Sequence, residues 1–145
     1  MTINEQQDAI IEEFSMFSDW MDKYEYIIQL GKELPLIAEQ YKVDDNLIRG
    51  CQSRVWLHPD YREGKIRFTA DSDALITKGL ISMVIRVLSG HSPREIVDAD
   101  IYFIDAIGLN SHLSPTRSNG LLSMLKQIKN YALAFHLQDV KKETT

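Results

Sequence analysis

Apolar residues recur at helical spacing through most of this sequence, and two short segments of strict alternation interrupt them. Together these patterns predict a mostly helical domain with a short β insert. Ile10, Phe14 and Phe17 mark the first helical face, and Ile76, Leu80, Val84, Val87 and Leu88 mark a broader one. Between them, Val55 and Leu57 alternate with Arg54, Trp56 and His58. Ile66, Phe68 and Ala70 likewise alternate with Lys65, Arg67 and Thr69. Period-2 alternation on both sides of the segment from Pro59 to Gly64 reads as an antiparallel hairpin, with that segment as its loop. With 145 residues the chain fits one domain, 1–145, large enough to bury a core without disulfides or metal.

The elements follow in order. Asn4 with Gln7 resembles a capping box for the first helix, which is expected to end near Phe17. Asp19 caps a second, with Trp20, Tyr24, Ile27 and Ile28 on one face and Gly31 and Pro35 ending it. Leu36 to Tyr41 has the composition of a further helical turn or two. After the hairpin, Asp71, Ser72 and Asp73 offer capping side chains for the core helix Leu75 to Leu88, which Gly90 stops. Ser92-Pro93-Arg94-Glu95 starts a short helix with proline at its first position. Asp100 caps a helix from Ile101 to Ile107, with an edge strand as the alternative. A last helix is expected from about Ser118 to Leu137, with Leu121, Leu125, Ile128 and Ala132 inward. Residues 140–145 read as a loose tail.

Composition narrows the function. The first 50 residues carry a net charge of −7 and the remainder +2, within an overall −5. An acidic first third without a basic stripe argues against nucleic acid as a partner. It reads as a solvated helical face, or as a docking surface for a basic partner. The polar, acidic N-terminus has no basic stretch before an apolar run, so no signal peptide is expected. The most apolar segment, Leu75 to Leu88, is interrupted by Lys78 and Arg86 and falls short of the ~20 residues of a membrane span. No membrane partner is expected, and the setting is expected to be cytoplasmic and reducing.

The chemistry centres on the only cysteine, Cys51. Alone it closes no intramolecular disulfide and completes no zinc site, which leaves packing or thiol reactivity. Gly50 opens space beside the sulfur, and Arg49 and Arg54 are expected to favour the thiolate. His58, His91, His112 and His136 are scattered without metal-ligand spacing, and Gly79, Gly90 and Gly108 lie too far apart for a phosphate loop. A cysteine-dependent hydrolase or transferase acting on a small molecule would need a histidine base beside Cys51, with His58 or His112 as candidates. A two-cysteine redox enzyme is excluded by the absence of a resolving cysteine. A thiol acting without an internal partner would instead exchange with a sulfur atom supplied by another protein, and the hydrolase and plain packing stay open beside it.

Gly50-Cys51-Gln52-Ser53-Arg54-Val55-Trp56 resembles the cysteine loop of the SufE family of sulfur acceptors. Trp20-Met21-Asp22-Lys23-Tyr24 and Leu30-Gly31-Lys32-Glu33-Leu34-Pro35 are similar to the family's N-terminal signature. Asp71-Ser72-Asp73-Ala74 and Lys78-Gly79-Leu80 match the segment after the hairpin. The run from His112 to Leu121 matches the entry to the last helix, with Thr116 where serine is more usual. Each motif is weak alone; their order from Trp20 to Leu121 is specific. Gln52-Ser53 looks more like the Suf branch than the Csd branch, which tends to have Glu-Asn there.

The resemblance implies an α+β fold, with helices packed around a small antiparallel sheet, similar to the IscU-type scaffold fold. It implies that Cys51 receives sulfur as a persulfide from a SufS-like, pyridoxal-phosphate-dependent cysteine desulfurase, speeds that enzyme's turnover, and passes the sulfur to an iron–sulfur scaffold protein. Such an acceptor carries no cofactor of its own, and a homodimer is compatible with the sequence. Arg49, Gly50, Arg54, Asp71 and Asp73 are expected near the cysteine loop or partner surface. Arg117 is expected to tie down that loop or a neighbouring helix end, or to contact Cys51 or a partner. Trp20 and Tyr24 read as core or partner surface, and His112 as structural. Cys51 is expected to be partly sheltered at rest by Val55, Trp56 and the Leu75–Leu88 helix, with Gly50 allowing the loop to swing outward.

Overall fold

The computed structural model describes residues 1–51 and 53–143. Gln52, used above for the branch assignment, and Thr144 and Thr145 of the expected tail lie outside the described residues. Helices α1 (Ile3–Ser15), α2 (Trp20–Gly31), α3 (Leu75–Leu88), α4 (Pro93–Asp98), α5 (Phe103–Ala106), α6 (Leu109–His112) and α7 (Pro115–Glu143) surround the antiparallel pair β1 (Val55–Arg62) and β2 (Lys65–Ser72). The fold is α+β. Ile10, Phe14, Leu57, Ile66, Phe68, Leu88, Ile96 and Phe103 fill its centre.

α1 begins two residues earlier than its Asn4–Gln7 pattern suggests. Thr2 Oγ1 accepts the Glu5 N–H at 3.0 Å, and Glu5 Oε1 accepts the Thr2 N–H at 2.9 Å, a complete capping box. Gln7 is instead fully buried and works at long range. Its Oε1 accepts the N–H groups of Tyr102 and Phe103, and its Nε2 donates to the Asp100 carbonyl. These bonds satisfy the start of α5, so Asp100 does not cap it, and the helix is shorter than Ile101–Ile107. α1 also stops at Ser15, before Phe17, whose ring packs on Tyr26 at 5.0 Å.

Asp19 caps α2 as expected, its Oδ1 accepting the Asp22 N–H at 2.9 Å. α2 then crosses α3 at closest approach through Gly79, where a methyl group would fall 2.0 Å from the Ile27 carbonyl oxygen. Only Glu39–Tyr41 of the expected Leu36–Tyr41 turns is helical. Leu36 makes a parallel bridge to Ala70: Pro35 O accepts the Ala70 N–H and Ala70 O accepts the Ile37 N–H, both at 3.0 Å.

The hairpin is tighter than a Pro59–Gly64 loop. Arg62 pairs with Lys65, and Glu63 (φ 54°) and Gly64 (φ 76°) form a two-residue turn with both central residues in the left-handed region. Pro59 sits within β1 opposite Phe68, whose own N–H points away to Ser89 Oγ at 2.9 Å. The pair needs no N–H from proline, so the ladder tolerates it.

The residues before α3 do not cap it by side chain; Ala74 occupies that position. The Asp71 carboxylate is held by Lys42 Nζ (2.7 Å) and Lys78 Nζ (3.3 Å), while Ser72 Oγ takes the Ala74 N–H. The Ser92–Glu95 capping box and Pro93 start α4 as expected. α6 has no counterpart among the expected elements. α7 starts at Pro115 and continues through Glu143, so residues 140–143 are helical. Tyr61 of β1 donates to Asp139, which ties the far end of α7 to the hairpin.

Candidate functional site

Cys51 sits in a loop whose two ends are joined. Leu47 bridges Trp56 in antiparallel fashion, and the Ile48 N–H donates to the Val55 carbonyl at 2.8 Å. The Arg54 N–H donates to Asp73 Oδ1 at 3.1 Å, a second anchor on the segment entering α3. Gly50 has φ +89°, a conformation that favours glycine, and turns the chain back onto α7.

The seat on α7 depends on two missing side chains. A methyl at Gly120 would lie 3.2 Å from Cys51 Sγ, and one at Gly50 would lie 2.8 Å from Ser123 Oγ. With both absent, the loop backbone lies directly on one face of α7, where Gly120 and Ser123 are neighbours at i, i+3. Cys51 Sγ donates to the Gly120 carbonyl at 3.6 Å. Beside the sulfur is a cavity of about 80 Å³. Ser53 and Val55 line it from the loop and β1, Thr77, Leu80 and Ile81 from α3, and Thr116, Arg117, Leu121 and Met124 from α7.

Burial pushes the Cys51 thiol above its ordinary pKa, opposite to the expected effect of its arginines. Arg49 and Arg54 are exposed, where solvent screens their charge, so loss of hydration governs the sulfur. The seat against α7 therefore favours the thiol over the thiolate. The expected shelter is present at Val55 and α3, but not at Trp56. That ring packs instead near Lys42, whose Nζ is 5.5 Å from its centroid. Most of the remaining shelter comes from α7. One signal for it was legible: Gly120 interrupts an otherwise helix-favouring segment, as a glycine kept for close packing does.

The other candidates separate. Arg117 lines the cavity, and its backbone N–H donates to Ser114 Oγ at 3.3 Å. Asp73 anchors the loop through Arg54. Asp71 does not line the cavity; two lysines take its carboxylate. Burial acts upward on Asp71, yet the hydrogen bonds from Lys42, the Ser72 N–H and Lys78 together hold it below the usual aspartate range. No histidine among the described residues lines the cavity. His58 stacks on Tyr41 at 3.8 Å. His112 stacks on Trp20 at 3.7 Å, with its Nδ1 on the Gly108 carbonyl and its own carbonyl accepting the Tyr24 hydroxyl. The base that a cysteine hydrolase requires is missing from the site. Among the described residues no cluster of three or more His, Cys, Asp or Glu side chains is placed to hold a metal, and no helix is long and apolar enough to cross a membrane.

Fold and site together define an α+β protein that presents one free thiol on an anchored loop against a long helix. The chain belongs to the SufE family: the family model, described as an Fe-S metabolism associated domain, matches residues 8–132. An uncharacterised SufE-like protein of Rhizobium etli is 42% identical over 130 residues, covering 86% of this chain and 88% of its own length. One from Rhizobium meliloti is 41% identical, covering 86% of this chain and 93% of that protein. One from Synechocystis sp. is 38% identical over 128 residues, or 88% of this chain and 80% of that protein. The solution structure of a hypothetical protein from Thermus thermophilus shares the fold, with TM-score 0.73 at 18% identity over 89% of this chain and 94% of that one.

Proposed function

We propose that the protein is a sulfur acceptor for a cysteine desulfurase of the Suf type and that Cys51 carries the sulfur as a persulfide to an iron–sulfur scaffold protein. The whole chain, 1–145, acts as one acceptor domain in a reducing, cytoplasmic setting. The observation that carries this reading is Cys51 itself, a free thiol on a loop anchored at both ends, held to α7 by one weak polar contact and served by no histidine. Such a sulfur is stored as a thiol and reacts when the loop leaves its seat.

The reaction balances without an outside oxidant. In water, away from α7, Cys51 gives its proton to solvent, and the thiolate attacks the outer sulfur of the donor's persulfide. One S–S bond forms at Cys51, the donor's S–S bond breaks, and the donor leaves as a thiolate. Emptying the donor cysteine in this way speeds desulfurase turnover. Delivery repeats the exchange with a thiol of the scaffold. Gly50 makes the outward swing inexpensive in backbone terms, and the joined base at Leu47 and Trp56 keeps the excursion local.

The test is incubation with a cysteine desulfurase and cysteine, followed by intact mass measurement. Increments of one sulfur atom confined to Cys51, absent in Cys51→Ser, are expected, together with loss of desulfurase stimulation by that variant. Full stimulation by Cys51→Ser would sink the carrier reading.

A further inference from the structure

The thiol and the loaded form of Cys51 cannot use the same contacts. As a thiol, Sγ has one proton and donates it to the Gly120 carbonyl at 3.6 Å. Once a second sulfur is bonded to Sγ, that proton is gone and the contact loses its donor. The added sulfur cannot point at that carbonyl either: bonded about 2 Å from Sγ, it would run into an oxygen that stands only 3.6 Å from Sγ. Gly120 and Cys51 both help to line the open space that adjoins the sulfur, the cavity of about 80 Å³. That is well above the roughly 10–15 Å³ a water-sized atom requires.

Charge then decides where in the cavity the sulfur rests. A persulfide is a stronger acid than the parent thiol, and its terminal sulfur is an anion near neutral pH. Leu80, Ile81, Leu121 and Met124 offer an anion nothing, and burying an unpaired charge among them is costly. Among the described residues Arg117 is the only charged one lining the cavity, and it is exposed at the mouth. The other charged groups nearby are Arg49 and Arg54 on the loop and Asp73 before α3. The first two are exposed and do not line the cavity, and Asp73 accepts the Arg54 N–H.

We propose that Arg117 is a positioning residue for the loaded carrier: it holds the terminal sulfur of the Cys51 persulfide, as an anion, at the cavity mouth, whereas the Gly120 carbonyl holds the thiol. This rests on the carrier reading above. Loading thus moves the reactive atom from an apolar seat toward solvent, where the next acceptor can reach it, and a neighbouring cation favours the ionised persulfide there.

The experiment loads purified protein with inorganic polysulfide and follows persulfide alkylation against pH by intact mass. Wild type is compared with Arg117→Ala and Arg117→Lys. The midpoint in Arg117→Ala is expected to rise, leaving roughly three- to tenfold less anion at pH values below it, and Arg117→Lys is expected to restore most of the difference. The thiol profile, measured in parallel on unloaded protein, moves less than the persulfide profile. Superimposable persulfide profiles in wild type and Arg117→Ala would overturn the proposal, as would equal shifts in thiol and persulfide forms, which mark a general loosening of the loop. Loading is chemical, so this outcome is separate from the desulfurase experiment. Failure of a desulfurase to load Cys51 counts against the carrier reading, and unchanged persulfide profiles count against Arg117.

Discussion

Gly120 of α7 lies directly against Cys51: its carbonyl receives the thiol proton at 3.6 Å, and the place its side chain would occupy is 3.2 Å from the sulfur. Gly120→Ala is therefore expected to act with opposite signs on the helix and on the loop. Alanine favours a helix interior over glycine by about 1 kcal/mol, so global stability is maintained or raised. The new methyl crowds Sγ, and about 1 kcal/mol of local strain would raise the unseated fraction roughly fivefold. The measurement is the rate of Cys51 alkylation by a bulky maleimide beside a thermal melt. Faster labelling without a lower melting temperature supports the seat; unchanged labelling would show that the loop does not rest on Gly120.

Gly79→Ala carries the contrary expectation. Its methyl would fall 2.0 Å from the Ile27 backbone oxygen and 2.6 Å from the Ile27 side chain, so α2 and α3 have to separate. Backbone cannot yield as a flexible side-chain end can, and a loss of more than about 3 kcal/mol, or failure to fold, is expected. Urea unfolding decides it. A loss below about 1 kcal/mol would mean that the two helices pack less closely than described.

The contrast between these glycines also marks what could be read from the sequence. Alternation placed the hairpin, and with it Cys51 on the loop just before the first strand. That signal is local: a strand's period does not depend on distant partners. The cavity was only half legible. Val55 and α3 follow from the hairpin and the core helix. The α7 wall depends on packing across 69 residues of sequence, and Gly120 hints at a close approach without saying what approaches. Asp71 and Asp73 misled for a related reason. Their side chains suit a helix cap, but they serve an ion pair and a loop amide equally well, and the positions of Lys42 and Arg54 settled the matter. Gln7 is the clearest case: a surface-type residue in an acidic helix proves fully buried because α5, far along the chain, brings N–H groups to it.

Acid stability is expected to depend on Glu13. Hydrogen bonds from Arg86 hold its carboxyl below the usual glutamate range, with burial opposing and the Tyr26 hydroxyl assisting. A depressed folded-state pKa contributes stability that is present above the unfolded value of about 4.3 and is lost as pH falls through the folded one. The pair is partly exposed, so about 1 kcal/mol is a fair magnitude. Glu13→Gln should be less stable than wild type at pH 7 and should show a flatter decline between about pH 5 and pH 3. Denaturant melts at a series of pH values test this; parallel declines in both proteins would remove Glu13 from the acid response.

Asp73 allows loop anchoring to be separated from charge. Its Oδ1 accepts the Arg54 N–H at 3.1 Å, and it does not cap α3. Asp73→Asn keeps an acceptor oxygen but loses the charge; Asp73→Ala loses both. Maleimide labelling of Cys51 is expected to be near wild type in Asp73→Asn and about two- to fivefold faster in Asp73→Ala, the size of one modest hydrogen bond. If the carboxylate also lies at the rim of the desulfurase interface, both variants should change the salt dependence of desulfurase stimulation, since rim charges act mainly on encounter and register. A capping role would instead cost about 0.5–2 kcal/mol of global stability in Asp73→Ala, which a thermal melt would reveal. Equal labelling in the two variants would remove Asp73 as the anchor, and salt dependence identical to wild type in both would place the interface elsewhere.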